Sequence, residues 1–199
     1  MLSTIPMSIS VVNVLNRVSV SIPDRAQTLL EIIKGRRSIR RFKPEKVPKE
    51  YIMLLLEAAR WAPSAGNLQP WEFIIVTDES TKRKLMEAAL YQEYVYEAPV
   101  VIVAVANIPR TSSYYGRRGE ELYVIQDVAA AIQNILLMAH ALGLGAVWIG
   151  AFNEDRVREI LELPNYIRPL AIIPLGWPDE KPYPPPRRSL EEIVHWEKY

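Results

Sequence analysis

Arg36-Arg37-Ser38-Ile39-Arg40 and, farther along, Ala62-Pro63-Ser64-Ala65-Gly66-Asn67-Leu68-Gln69-Pro70-Trp71 are the two stretches from which the rest of this sequence is read. Arginines around a serine offer an anion clamp, because guanidinium forks bind phosphate oxygens two at a time. The same residues also suit a solvated basic turn whose arginines take up the last carbonyls of a preceding helix. The second stretch begins as ordinary turn residues. Its hydroxyl and amide groups, followed by Gln69, Pro70 and Trp71, also suit a flat heterocycle whose edge alternates donors and acceptors. Together the two stretches point to a phosphate-bearing cofactor.

The whole chain sets the limits around them. Its 199 residues suffice for one sizeable core. Apolar residues make up 49% and charged residues 24%, an ordinary globular balance. A net charge of +1 gives no reason to expect nucleic acid or an anionic membrane as partner, and no stretch is read as long enough in apolar residues to span a bilayer. The absence of cysteine excludes disulfides, thiolate nucleophiles, iron–sulfur clusters and cysteine zinc sites. His140 and His195 have no companions at ligand spacing, so both are read as structural and no metal site is expected. The first residues, up to Ile22, are apolar but interrupted by Asn13, Asn16 and Arg17 and lack a basic start. That argues against a signal peptide. Residues 1–23 are expected to be an arm lying on a partner subunit or a disordered extension, residues 24–199 a single domain, and the location cytoplasmic.

Along the chain, Asp24 with Gln27 reads as the cap of a helix stopping at Gly35. A second helix starts near Pro48 and ends at Pro63. Trp71–Thr77 reads as a strand, Asp78–Leu90 as a helix, and Val100–Ala106 as a strand buried on both faces. Asn107–Gly119 is polar and reads as a loop, of the length that lids and binding loops have. Glu120–Leu142 is a helix apolar nearly all round, which belongs in a core or at a subunit interface. Ala146–Ile149 (strand), Glu154–Leu161 (helix), Pro169–Leu175 (strand), an extended Pro178–Pro186 and a final helix Ser189–Trp196 complete the reading. Helices and strands mix without a regular alternation, so the expected class is α+β with a central sheet. There is no glycine-rich dinucleotide turn and no P-loop.

Arg36-Arg37-Ser38-Ile39-Arg40-Arg41-Phe42, the stretch Ala62 to Phe73, Gly143 to Phe152 and the tail Pro186 to Trp196 together closely resemble the nitroreductase family of FMN-dependent oxidoreductases. The resemblance covers about residues 28–199, with the motifs in the family's order. It implies a nitroreductase-like α+β fold, a central mainly antiparallel sheet flanked by helices, in an intertwined homodimer with FMN at the subunit interface. By position, Arg36 and Ser38 would hold the FMN phosphate, with Arg37 beside them and Arg187 or Arg188 completing the clamp. Arg40 would approach the flavin N1 and C2 carbonyl. Pro63, Ser64, Ala65 and Asn67, with Gln69 close by, would come from the other subunit. Trp148, Ile149, Gly150 and Ala151 would run along the opposite side, with a backbone N–H, that of Gly150, aimed at N5. One branch of the family carries glutamate where Gly150 stands and proline where Trp148 stands; a backbone donor survives that replacement.

The function so implied is NAD(P)H oxidation, with NADH or NADPH as hydride donor and a small-molecule electron acceptor such as a nitroaromatic or quinone, in a ping-pong cycle. No side chain is required as a catalytic nucleophile or acid. Alternatives are a specialised flavin enzyme of the same fold, of dehalogenase or flavin-destructase type, and a non-enzymatic FMN-binding protein. Gln126, Asp127, Gln133 and Asn134 lie on the apolar helix, and structural roles for them are favoured over flavin contact. Tyr91, Tyr94, Tyr96, Tyr114 and Tyr115 suit either the substrate cavity or interface packing.

Overall fold

The run after Pro99 is the centre of the structure because both of its faces are covered. Ile102, Ala104 and Ala106 point into one apolar cluster, whereas Val101, Val103 and Val105 point into another. That alternation is the two-residue period of a strand, read out on two cores. The computed structural model describes residues 22–199, so nearly all of the expected arm lies outside the described residues. In chain order the elements are α1 (Asp24–Gly35), α2 (Lys49–Arg60), a 3-10 turn (Ala65–Asn67), β1 (Trp71–Val76), α3 (Glu79–Ala88) and α4 (Tyr94–Glu97). There follow β2 (Val100–Asn107), α5 (Ile108–Arg118), a π turn (Gly119–Tyr123), α6 (Val124–Ala141), β3 (Gly145–Ala146), α7 (Glu154–Ile160), β4 (Ile167–Gly176) and a 3-10 turn (Leu190–Glu192).

The sheet has the order β1-β2-β4-β3, and every neighbouring pair is antiparallel. Trp71 pairs with Ala106, which pairs with Arg168; at the other end Val100 pairs with Leu175, which pairs with Ala146. One face packs on α2 and α6 through Leu55, Ala59, Ile132 and Ile135, all fully buried. The other packs on α3, α4 and α7 through Leu85, Val95 and Val157. Each leucine, isoleucine or valine among them contributes about 1.5–3 kcal/mol by leaving water. The α+β class and the helix-flanked antiparallel sheet are as expected.

The described residues separate into two compact units, Ile32–Pro182, and residues 22–31 with Tyr183–Tyr199. The larger holds the entire sheet. In the smaller, Ser189 and Glu192 form a reciprocal capping box on the short 3-10 turn, which replaces the longer final helix expected from the pattern.

Several elements differ from their sequence reading. Residues 107–119 are not a loop: Pro109 occupies the first turn of α5, where its missing N–H costs nothing, and the helix kinks only at Gly116 (φ 53°, ψ −141°). Asp24 sits in the first turn of α1 rather than capping it, since the Ala26 and Gln27 N–H groups both reach Pro23 O. The strand expected over 146–149 keeps its ladder only at Gly145–Ala146, with an isolated bridge at Ile149. The helical passage Ile108–Ala141 is also long and apolar enough to cross a membrane, contrary to the composition reading. In the fold many of its apolar residues, such as Val128, Ala131 and Ile132, are spent in the core, while Ile125 stays exposed.

Candidate functional site

The first arginine stretch is laid along the β3 edge of the sheet. Gly35 ends α1 at a crowded point: a Cβ there would lie 2.5 Å from Nε2 of His140 at the end of α6. Beyond it Ser38 bridges Ala146 in parallel, and the Ile39 N–H donates to Ala146 O at 3.1 Å. Gly145 permits this approach, because a Cβ there would stand 2.8 Å from the Ile39 side chain. Arg37 Nη1 donates to Lys34 O at 2.6 Å and to Arg36 O at 2.8 Å. For Arg37, then, the structure displays the helix-end role that the sequence left open beside the clamp. Burial lowers the His140 pKa, and the charges of Arg36 and Arg37 lower it further. The positive potential at this corner is therefore felt by a neighbour as well as read from the sequence. Arg40 stands over the Tyr94 ring at 5.9 Å, and its N–H, with that of Arg41, meets the Glu180 carboxylate.

Trp148–Ala151 follows directly from β3 along the same edge. Ile149 exchanges both backbone hydrogen bonds with Ile172, at 2.9 and 3.1 Å. Trp148 is 39% exposed. Gly150 faces open space, with no atom within 4 Å of where a Cβ would stand, and its N–H has no hydrogen-bond partner among the described residues. Arg36, Ser38, Arg40 and Trp148–Ala151 are thus brought to one edge: cations and a hydroxyl, then a free backbone donor in an open cradle.

Pro63–Gln69 is built as a rigid turn. The Gln69 N–H donates to Ser64 Oγ at 3.0 Å, the Ala65 N–H to Asp127 Oδ1 at 3.0 Å, and Gln69 Nε2 to Asn67 O and Oδ1, both at 3.2 Å. Gly66, Asn67 and Gln69 have left-handed φ of 56°, 57° and 49°. A Cβ on Gly66 would reach 2.8 Å from the Tyr115 hydroxyl, so α5 packs directly on the turn. Asp127 is buried and its Oδ2 has no partner among the described residues. Burial pushes its carboxyl pKa up, against the smaller opposing pull of the Ala65 N–H. Asp127 and Asn134, whose Nδ2 donates to Ala58 O at 2.9 Å, take the structural roles favoured for them. Gln126 and Gln133 are exposed.

The two groups do not meet within one chain. Ser38 lies beside the β3 edge in the Ala146–Leu175 row, and Pro63–Gln69 leads into β1 at the opposite edge, in the Trp71–Ala106 row. Three strand spacings across and about six residues along give roughly 25 Å between these corners. Arg187 and Arg188 are exposed residues of the smaller unit.

Sequence reading missed Gln92, whose Nε2 donates to Ala151 O at 3.1 Å, and Glu180. It also missed Arg110, which donates to Gln69 O at 3.2 Å. No motif marks them; each is recruited by a turn or pairing that appears only on folding. Among the described residues no cluster of three potential metal ligands occurs.

The sequence profile described as "Nitroreductase family" matches residues 33–92 and 86–177. A chain of Methanothermobacter thermautotrophicus, provisionally named NADH dehydrogenase/NAD(P)H nitroreductase, is 41% identical over 173 residues, covering 82% of this chain and 87% of the relative. The oxygen-insensitive NADPH nitroreductase of Salmonella typhimurium is 33% identical over 177 residues, covering 85% and 74%. Among solved structures, the NADPH:FMN oxidoreductase from Vibrio harveyi complexed with NAD+ superposes with a TM-score of 0.79 at 30% identity, covering 86% of this chain and 77% of that one.

Proposed function

The chain belongs to the nitroreductase family, and from that premise we propose that it is an FMN-dependent NAD(P)H oxidoreductase whose acceptors are nitroaromatics, quinones or similar small molecules. The observation that carries this is the shared edge of Arg36–Arg40 and Gly150. A phosphate-bearing heterocycle needs cations and a hydroxyl at one end and an unspent donor in open space at the other, and the residues present fit that demand. Arg36 and Ser38 would take the phosphate, with Arg37 beside them and Arg187 or Arg188 joining. Arg40 would set a positive charge beside the ring edge that becomes negative on reduction. Gly150, between Trp148–Ile149 and Ala151, would offer its N–H to the ring. FMN, when bound, supplies the redox chemistry, accepting hydride from NADH or NADPH and passing electrons to the acceptor in alternating half-reactions. The chain's own part is to bind, orient and polarise.

The roughly 25 Å between the Ser38 corner and the Pro63–Gln69 corner supports a homodimer. A two-fold axis sets the arginine edge of one protomer against the Pro63, Ser64, Ala65, Asn67 and Gln69 turn of its partner, and does so twice. Residues 24–199 then act as one FMN-binding domain, in the cytoplasm. Purified protein should be yellow, with absorption near roughly 375 and 450 nm from oxidised flavin, and should oxidise NADH or NADPH in the presence of menadione or a nitrofuran. FMN-loaded protein that turns over neither nicotinamide would refute the reductase reading. Colourless protein that takes up no FMN would refute the cofactor.

A further inference from the structure

The Trp148–Ala151 segment is not regular strand, yet its path is fixed at three points. Ile149 is paired with Ile172, the Asn153 N–H donates to Ala88 O at 2.9 Å, and between them Ala151 O accepts from Gln92 Nε2 at 3.1 Å. Gly150, with its free N–H, lies between the Ile149 and Ala151 anchors. Gln92 has its whole amide engaged. Nε2 also donates to Ala89 O at 2.8 Å, and Oε1 accepts from the Tyr94 hydroxyl. Tyr94 carries Arg40 over its ring. One half-buried side chain therefore joins the backbone donor of the site to its ring-edge cation.

An unfavourable piece of backbone aims that side chain. Leu90 and Tyr91 both have left-handed φ of 59°, and neither is glycine or asparagine. Their side chains are 65% and 72% exposed, so burial does not repay the strain. Consecutive strained residues of this kind persist where the surroundings over-determine them, and they gather at functional sites. From the other side the buried Lys82 donates to Tyr96 O and Ala98 O, at 3.1 and 2.8 Å, and fixes the one-turn helix α4 that bears Tyr94.

We propose that Gln92 is a positioning residue of this site: Ile172 holds the Ile149 carbonyl of the Gly150 peptide, Gln92 holds the Ala151 carbonyl beyond it, and by fixing this far side Gln92 keeps the Gly150 N–H on its aim, and thereby the preference of the site for oxidised over reduced FMN. The inference rests on the flavin reading above. Oxidised N5 accepts a hydrogen bond whereas reduced N5 bears a hydrogen, so a well-aimed N–H favours the oxidised form. Gln92 touches neither cofactor nor substrate in this role.

Affinities for oxidised and reduced FMN, measured by anaerobic titration, test it in the parent, Gln92→Leu, Gly150→Pro and the double variant. Gln92→Leu is expected to bind oxidised FMN about tenfold more weakly and to change reduced FMN less than threefold. A tenfold change in that ratio is a rise in midpoint potential of about 30 mV for a two-electron couple. In the Gly150→Pro background, where the donor is already gone, Gln92→Leu should add little. Equal weakening of both forms, or full additivity with Gly150→Pro, overturns the proposal. If Gln92→Leu does not fold, Gln92→Glu keeps size and acceptor but loses the donor to Ala151, and carries the same expectation. A parent that binds no FMN fails the cofactor reading first, an outcome distinct from a parent that binds FMN while Gln92→Leu leaves the ratio unmoved.

Discussion

At the scale of single residues, charge and its partners decide what each change should do. Arg36→Ala removes a guanidinium from the corner where Ser38 meets Ala146. It should weaken FMN binding by about 2–3 kcal/mol, roughly 30- to 150-fold, as for loss of a charge-assisted hydrogen bond. Fluorescence titration of FMN reads this directly, and undiminished affinity would remove Arg36 from the phosphate site. Asp127 makes the opposite kind of prediction. Burial raises its carboxyl pKa, so the native state holds the proton more tightly than the unfolded chain does. Stability must then fall as pH rises from the unfolded value of about 3.9 through the raised native one. Asp127→Asn keeps an acceptor for the Ala65 N–H and removes the charge from the unpartnered Oδ2. Its melting temperature at pH 7 should exceed the parent's by about 2–4 °C per kcal/mol gained, the gain being about 1 kcal/mol. At pH 4 the two should converge. Parallel melting curves across the whole range would contradict this assignment.

At the scale of elements, glycines set which segments can touch. Gly145→Ala would place a Cβ 2.8 Å from the β-branched Ile39, which is 7% exposed and has little room to yield. The Ser38–Arg40 segment must then lift from β3, at a cost of about 1–3 kcal/mol. FMN affinity should drop roughly tenfold, since one tenfold step corresponds to about 1.4 kcal/mol. Denaturant unfolding and FMN titration of the same variant separate the two effects. The same scale explains what the sequence made legible. β2 could be read because two cores leave Val100–Ala106 no polar position, and a continuous apolar run has few other fates. α5 could not, since Pro109, Thr111, Ser112 and Ser113 have the composition of a loop, and only the placement of Pro109 in a first turn makes them helical. The arginine stretch and Pro63–Trp71 were legible as chemistry before they were legible as places. Gln92 was neither: an ordinary glutamine acquires its role from two left-handed residues before it and a carbonyl far along the chain.

At the scale of the whole molecule, the antiparallel order β1-β2-β4-β3 puts the two stretches proposed to bind FMN at diagonal corners of one sheet. Sedimentation equilibrium should therefore give twice the 22.8 kDa chain mass, and dilution below the dimer dissociation constant should release FMN together with the partner. A monomer that retains FMN at full strength would contradict the two-chain site. The diagonal has a further consequence, which belongs to genetics as much as to structure. Two damaged alleles can complement each other. Chains carrying Arg36→Ala and chains carrying Gly66→Val, each holding FMN too weakly to keep it through purification, would form mixed pairs in which one site collects both lesions and the other collects none. After random reassortment about a quarter of all sites should be whole, and colour and turnover should return when two colourless preparations are mixed.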